Sequence, residues 1–343
     1  MADKILCIQL SQIGDVLMNT PAIRALAKAK PDAGIHILTQ IPSDQIFEFS
    51  PYVSKVHVFP QKGSIQTAIS LTRRLRNESY SIVVDFQGLP KTAVLSRLIG
   101  VPTRIGHNFR GRAFWYTHSV NAPGELVYSA QAKLFILTAL NIKSDDLKLD
   151  FFTGEEDQLT AANILKNLNV DPDRLLISVS PVSRKAYKVW PAQKFAKVCD
   201  YLIQEYKAQI LFLWGPGEYH FIQSVRNHMR NNSLPDYNIP SIRETVALLE
   251  KSDLHFGNDN GPMHFAYAAG IPTVAIFGRP AMENWLPLNN KKHLGIEYNP
   301  GCKLTCTYPE CGLECLDINW ESVTNLIETQ ISNTSGARTK NME

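Results

Sequence analysis

Residues 254–280 constrain the fold most strongly, because they spell two apolar strands joined by a helix: LHFGNDNGPMHFAYAAGIPTVAIFGRP. The runs 254–256 and 273–277 have the character of buried strands, and residues 263–269 between them suit a helix. A strand, a helix and a second strand in so short a stretch predict a βαβ unit with parallel strands. The chain is therefore expected to be an α/β protein.

The entry to that helix carries recognisable start and stop signals. Asp259 or Asn260 can cap the exposed N–H groups, Pro262 suits the first turn, and Gly270 suits the end. A helix N-terminus placed directly after a strand offers free N–H groups to an anion such as a diphosphate. Spacing alone leaves an anion site and an ordinary well-capped turn equally open.

Strands and helices alternate along the rest of the chain as well. This rhythm predicts parallel, doubly wound sheets. The predicted strands are 4–10, 35–39, 55–59, 81–86, 175–179 and 209–214, and the predicted helices are 16–29, 65–76, 126–140, 155–168, 191–205, 219–229 and 242–251.

The length of 343 residues exceeds one typical core, so two domains are expected. We place them at 1–154 and 155–331, followed by a polar tail at 332–343. No stretch approaches the ~20 apolar residues of a membrane span, and residues 4–10 are too short for a signal peptide, so a cytoplasmic protein is expected. The net charge of +3 gives no indication of nucleic-acid binding.

Four motifs, spread in order along the chain, resemble those of glycosyltransferase family 9, the heptosyltransferases of lipopolysaccharide core synthesis. One such motif would be a weak signal, whereas four in order are a strong one. They are Ile13-Gly14-Asp15-Val16-Leu17; Asp85-Phe86-Gln87-Gly88 with Lys91, similar to D-x-Q-G-x-x-K/R; Lys188-Val189-Trp190-Pro191; and Asp259-Asn260-Gly261-Pro262-Met263-His264, similar to D-x-G-x-x-H.

The resemblance implies a fold and an activity. The fold would be GT-B, in which two Rossmann-like doubly wound domains face a central cleft, with the acceptor on the first domain and the nucleotide-sugar donor on the second. The activity would be inverting transfer of heptose from ADP-L-glycero-D-manno-heptose to a lipopolysaccharide inner-core acceptor, at the inner face of the cytoplasmic membrane. Three rivals remain: a sugar-nucleotide epimerase of similar architecture, a family 9 transferase with another donor, and a nucleotide-binding module without activity.

Asp15 is the candidate catalytic residue. It follows the first strand, where a carboxylate can take the proton of an acceptor hydroxyl as general base. The alternative is that Asp15 only caps a helix starting at Val16. The match to the family's G-D-V-L segment favours the general base.

Lys188 is the candidate that neutralises the departing diphosphate, as a metal does in other transferases. A solvated lysine in a basic loop is the alternative. Glu218 could bind a ribose hydroxyl, and His264 could address the diphosphate or pack beneath it. The donor-binding residues implied by the resemblance are Ser183, Arg184, Lys188, Glu218, Asp259, Asn260, Gly261 and His264.

The segment between Phe86 and Gly124 carries basic and aromatic residues and no Asp or Glu. Such a patch could face an anionic glycolipid or the anionic inner leaflet, although an ordinary solvated surface is equally open. The acceptor-binding candidates are Gln87, Lys91 and Arg112.

Four cysteines, Cys302, Cys306, Cys311 and Cys315, lie within 14 residues. In a cytosolic protein such a run indicates a structural zinc or iron site or free thiols, with disulfides a third possibility. Asp171-Pro172-Asp173 spells a metal–diphosphate motif, but it precedes a strand and contains a turn-forming proline. We therefore expect metal-independent transfer that requires no cofactor.

Overall fold

The computed structural model describes residues 3–60, 65–109, 111–121, 127–279, 282–287, 290–302 and 308–338, without the side chains of Arg112 and of residues 334–338. The chain forms two compact units, Met1–Phe152 and Thr153–Glu343. Each has its own parallel sheet.

The first domain contains a six-stranded parallel sheet in the order β3-β2-β1-β4-β5-β6. This is the Rossmann order, which reverses direction between β1 and β4. The strands are β1 (Lys4–Ile8), β2 (Gly34–Thr39), β3 (Lys55–Val58), β4 (Ile82–Asp85), β5 (Thr103–His107) and β6 (His118–Val120); the helices are α1 (Ile13–Leu17), α2 (Thr20–Ala29), α3 (Ile65–Asn77), α4 (Pro90–Ile99) and α5 (Ser129–Ile136).

The first domain departs from the sequence prediction in two places. The single helix predicted at 16–29 is two helices, α1 and α2, and Pro21 lies in the first turn of α2, where it needs no N–H partner. The basic segment contains α4, β5 and β6, which were not predicted. β5 reads TRIGH, and too few of its residues are apolar for the alternation to be recognised.

The second domain contains a five-stranded parallel sheet in the order β11-β10-β9-β7-β8. Renumbered within the domain this is the order 2-1-3-4-5, which reverses between β7 and β9. The strands are β7 (Leu176–Ser180), β8 (Gln209–Phe212), β9 (Leu254–Asn258), β10 (Thr273–Phe277) and β11 (His293–Glu297); the helices are α6 (Glu155–Asn167), α7 (Ala192–Tyr206), α8 (Tyr219–Arg226), α9 (Ile242–Glu250), α10 (Gly261–Ala269), α11 (Met282–Trp285) and α12 (Trp320–Arg338).

The opening βαβ stretch forms as predicted, with β9, α10 and β10 in sequence and β9 parallel to β10. The core of the second domain contains packed aromatic rings beside this stretch: the ring of Phe195 lies 5.1 Å from that of Trp190 and 5.0 Å from that of Phe256. Helix α12, which was not predicted, continues to Arg338, past residue 332 where the polar tail was expected to begin. Once a helix is nucleated, each further residue adds one hydrogen bond, so polar composition alone does not end it.

Candidate active site

The carboxyl ends of β7 and β9 meet where the second sheet reverses direction, and in open α/β sheets ligands bind at such a point. Ser180 ends β7 and is paired with Gly257 in β9. A Cβ on Gly257 would lie 2.3 Å from Ser180 Oγ, so a larger residue would displace the Ser180 side chain. The glycine thus allows the two strand ends to approach closely.

Asn260 is the residue that caps α10, and its side chain also ties two loops together. Its Oδ1 accepts a hydrogen bond from Met263 N at 3.0 Å. Its Nδ2 donates to Ser180 Oγ at 3.0 Å and to Val182 O at 2.8 Å. The Asn260 side chain therefore fixes the N-terminus of α10 against the loop after β7, and Gly261 opens the helix.

Lys188 and Asp259 form an ion pair beside that helix entry. The Asp259 side chain is 3% exposed and the Lys188 side chain is 23% exposed, so the lysine is the partner that solvent and ligands can reach. Lys188 Nζ also lies 5.7 Å from the centre of the Trp285 ring. The structure thus brings two of the predicted donor residues together, and the lysine is held rather than freely solvated.

His264 packs beneath the same helix entry and is 4% exposed. Burial lowers its pKa to about 4, an effect that the nearby Asp259 carboxylate opposes and that Lys188 reinforces. The ring therefore stays neutral at physiological pH. It lies 5.6 Å from the Trp285 ring and 5.8 Å from the Tyr267 ring.

The loop that carries Lys188 is anchored by Asn258, which the sequence analysis did not single out. Asn258 is fully buried; its Nδ2 donates to Pro181 O at 2.8 Å, and its Oδ1 accepts from Trp190 N at 3.1 Å. On the other side, a Cβ on Gly278 would lie 1.9 Å from Tyr187 O. Both ends of the loop are therefore fixed. The polar Asn258 at the end of an apolar strand was the sequence signal that could have revealed this anchoring role.

The remaining donor candidates of the second domain lie at the same edge. Ser183 accepts a long hydrogen bond of 3.5 Å from Lys185 N, and Arg184 is exposed. The Glu218 carboxylate accepts a hydrogen bond of 2.8 Å from Gly215 N and so closes the turn after β8.

At the point where the first sheet reverses direction, Gln87 joins the loops after β1 and β4. Its Oε1 accepts from Leu10 N at 2.6 Å, and its Nε2 donates to Ser11 Oγ at 2.8 Å. Asp85, fully buried, orients this turn by accepting hydrogen bonds of 3.0 Å from Gln87 N and Gly88 N. The side chain of Gln87 thus stabilises, within the first domain, the loop that leads to Asp15.

Tyr116 holds the other oxygen of Asp85, with its hydroxyl donating at 2.7 Å. This contact depends on Gly106, where a Cβ would lie 2.4 Å from the Tyr116 ring. Burial nevertheless raises the pKa of Asp85, against the hydrogen bonds that lower it.

Asp15 lies in the first turn of α1, half-buried. The alternative that it caps a helix starting at Val16 is wrong, because α1 begins at Ile13 and its N-cap position is Gln12. The backbone carbonyl of Asp15 accepts a hydrogen bond from Asn19 Nδ2 at 3.1 Å. Its carboxylate is therefore not required to start the helix.

Lys133 of α5 is the residue that sequence reasoning missed in this site. Its Nζ donates to Phe86 O and, at 3.2 Å, to Gln9 Oε1, so it links the ends of β1 and β4. Burial lowers the pKa of Lys133, while the carboxylates of Asp15 and Asp85 raise it. Only the fold brings a lysine at 133 within electrostatic range of an aspartate at 15, so no local pattern could have revealed it.

Lys91 is exposed and its Nζ lies 3.9 Å from the centre of the Phe59 ring; the side chain of Arg112 is not described. Of the cysteine cluster, Cys302 and Cys311 are half-buried and Cys315 is buried, and Cys306 lies outside the described residues. The metal interpretation of that cluster stays a prediction.

A comparison with protein families decides the classification. The profile described as glycosyltransferase family 9 (heptosyltransferase) matches residues 68–311, well over half of the chain. The chain belongs to glycosyltransferase family 9. As a family 9 member it is a glycosyltransferase, which confirms the resemblance drawn from the four motifs.

Individual family 9 proteins resemble the chain along almost its whole length. A lipopolysaccharide heptosyltransferase 1 from Campylobacter coli is 26% identical over 323 residues, covering 89% of this chain and 91% of that protein. The family 9 glycosyltransferase structure from Veillonella parvula has a TM-score of 0.85 at 23% identity, covering 96% and 98% of the two chains. The E. coli ADP-heptose lipopolysaccharide heptosyltransferase II has a TM-score of 0.78 at 19% identity, covering 97% and 99%.

The structural likeness confirms the predicted fold class, two parallel α/β domains of the GT-B type. Within the part of the chain that the structure describes, no helix is both long and apolar enough to cross a membrane.

Proposed function

We propose that the protein is an inverting heptosyltransferase that transfers heptose from ADP-L-glycero-D-manno-heptose to an inner-core acceptor of lipopolysaccharide. The observation that carries the proposal is the pairing of a helix N-terminus with Lys188 at the point where the second sheet reverses direction. Both features attract a diphosphate. Similarity to the heptosyltransferases of Campylobacter coli and E. coli supports the choice of sugar and acceptor.

In this proposal the second domain binds the donor. The N-terminus of α10 and the ammonium group of Lys188 meet the diphosphate, whose negative charge grows as the bond to the sugar breaks. Asn260 and Asn258 position these groups through the loops that they hold. The neutral His264 supports the helix entry from below. Glu218, at the turn after β8, binds a ribose hydroxyl.

The first domain binds the acceptor in this proposal, with Asp15 as general base. The carboxylate removes the proton from the acceptor hydroxyl while its oxygen attacks the anomeric carbon, and ADP leaves from the opposite face. Lys133 beside Asp15 favours the ionised carboxylate, which is the form that a base needs.

Gln87, Lys91 and Arg112 contribute to acceptor binding. The acceptor is an anionic glycolipid, so the basic segment 86–124 would serve it and the anionic inner leaflet together. We accordingly place the enzyme at the inner face of the cytoplasmic membrane as a peripheral protein, and we assign transfer no metal or organic cofactor.

The decisive experiment incubates the protein with ADP-heptose, with and without heptose-deficient lipopolysaccharide. Release of ADP that depends on the acceptor supports transfer. NMR of the product's anomeric centre shows whether the configuration at the anomeric carbon has been inverted. A new free sugar nucleotide would instead indicate epimerisation, and no turnover would indicate a binding module.

The nucleotide base of the sugar donor is tested separately by a thermal-shift panel of ADP, UDP, GDP and CDP. A nucleotide at 100 times its dissociation constant adds about 2.7 kcal/mol to the free energy of unfolding, which shifts Tm by several degrees. A selective shift with UDP, GDP or CDP would point to a family 9 transferase with another donor.

A further inference from the structure

Two buried histidines and a glutamate lie close together in the first domain. His36 lies in β2, His57 lies in β3, and Glu78 lies in the turn between α3 and β4. Their potential ligand atoms all lie within 4.8 Å of one another. Lys4 at the start of β1 and Lys55 at the start of β3 both contact Glu78, so the glutamate lies at the amino ends of these strands.

The distances within the cluster suit a small metal ion. His36 Nδ1 and His57 Nε2 are 3.4 Å apart, and the Tyr80 hydroxyl lies 2.9 Å from each. Two nitrogens bound at about 2.0–2.1 Å to one tetrahedral zinc ion lie about 3.3 Å apart. The imidazoles therefore already have the separation of two ligands of one ion.

Burial and two neighbouring lysines shift the pKa values of the three side chains. Burial lowers the pKa of His57 to about 4, with help from the neighbouring His36, and burial lowers the pKa of His36 as well. Hydrogen bonds from Lys4 and Lys55 hold the pKa of Glu78 at about 2.

We propose that His36, His57 and Glu78 form a structural binding site for one divalent transition-metal ion of the zinc type. Two imidazole nitrogens and a carboxylate oxygen are donors that zinc accepts, and the Tyr80 hydroxyl provides a neighbouring hydrogen-bond partner. The ion would join β2, β3 and the turn before β4, and so stabilise the first domain. This inference is independent of the proposed transfer reaction.

Two lysines oppose the ion electrostatically and supply a control. Lys4 and Lys55 both contact Glu78, and their side chains are 39% and 50% exposed. Their exposure allows either ammonium group to turn towards water when a dication binds. Removing the charge of Lys55 should therefore tighten metal binding, whereas removing a ligand should weaken or abolish it.

The test uses the full-length protein, chelator-treated and then titrated with zinc sulfate. Because the clustered cysteines can also bind zinc, the site is located by an anomalous difference map at the zinc edge from soaked crystals. A peak between His36 and His57 is expected, together with a rise in Tm of roughly 5–10 °C at 100 times the dissociation constant. No peak there at millimolar zinc would overturn the proposal.

Variants test in solution which residues bind the zinc ion at this site. His57→Gln should bind one zinc ion fewer than wild type. Glu78→Gln leaves His36 and His57 intact and should weaken the affinity for that zinc ion at least tenfold. Lys55→Met should strengthen the affinity for this zinc ion, and His228→Gln, at an exposed position, should leave that affinity unchanged. Equal zinc stoichiometry and affinity in wild type and in both ligand variants would contradict the site.

Discussion

Lys188 and Asp259 are joined as an ion pair across the gap between the loop after β7 and the N-terminus of α10. The two residues are far apart in sequence, and each belongs to one of the four family motifs. The pairing positions an ammonium group beside the N-terminus of α10 before any ligand arrives. A diphosphate would therefore meet a preorganised site, which is the condition for strong electrostatic stabilisation.

Lys188→Ala is expected to weaken ADP binding about 10- to 100-fold, because a charge-assisted hydrogen bond contributes about 1.5–3 kcal/mol. The loss should shrink as salt is raised, since ions screen the interaction. Isothermal titration with ADP at two salt concentrations measures both effects. Lys166→Ala, the same charge change at an exposed position of α6, is the control. ADP affinity equal to wild type would leave the N-terminus of α10 as the whole anion site.

Asp15→Asn should lower turnover about 100-fold or more, because the amide keeps the shape of the side chain but cannot accept a proton. Tm and ADP affinity should stay close to those of wild type, since the carboxylate makes no N-terminal cap of α1. Single-turnover transfer assays and melting curves provide the measurements, with the exposed Asp32→Asn as matched control. A near-normal transfer rate would remove Asp15 from the role of base.

Lys133→Met should move the acidic limb of the kcat/KM profile to higher pH. A cation beside a carboxylate favours its ionised form, so removing the cation raises the apparent pKa of the base and activity is lost earlier as pH falls. The rate on the high-pH plateau should change less than the position of the limb, and Lys133→Arg should restore that position.

An acidic limb that stays in place in Lys133→Met would show that Lys133 acts only through its hydrogen bonds to Gln9 and Phe86. In that case the variant should lose stability alone, which melting curves detect.

His255 makes the second domain sensitive to acid. It is fully buried between Ser178 and Ser180, and burial lowers its pKa from 6.5 to about 3. Between those values the unfolded chain binds a proton that the folded chain does not, so stability present above pH 6.5 is lost as pH falls. The expected slope from this residue is at most about 1.4 kcal/mol per pH unit.

Urea unfolding of wild type and His255→Gln between pH 7 and pH 4.5 measures that slope. The variant should show a flatter dependence, although His264 and His293, whose pKa values burial also lowers, keep part of it. His220→Gln, at an exposed position, should match wild type. Parallel pH profiles for wild type and His255→Gln would contradict a neutral buried His255.

The local signals of the sequence predicted much of the fold. Strand–helix alternation gave the parallel sheets, and the capping residues of α10 gave its start and its end at Gly270. The strands β5, β6 and β11, the helices α4, α11 and α12, and the break between α1 and α2 were missed. Short or polar elements such as β5 are stabilised by neighbours that a sequence window does not contain.

By itself, the sequence determined the fold class, the family and the positions of Asp15, Lys188 and the Asp259–His264 turn, because these depend on residues close together in the chain. Only the tertiary structure decided what surrounds them. It paired Lys188 with Asp259, anchored a loop through Asn258, placed Lys133 within electrostatic range of Asp15, and brought His57 to His36. Such interactions join segments that become neighbours only through the strand order of each sheet, and strand order is fixed by packing of the whole domain rather than by any local pattern.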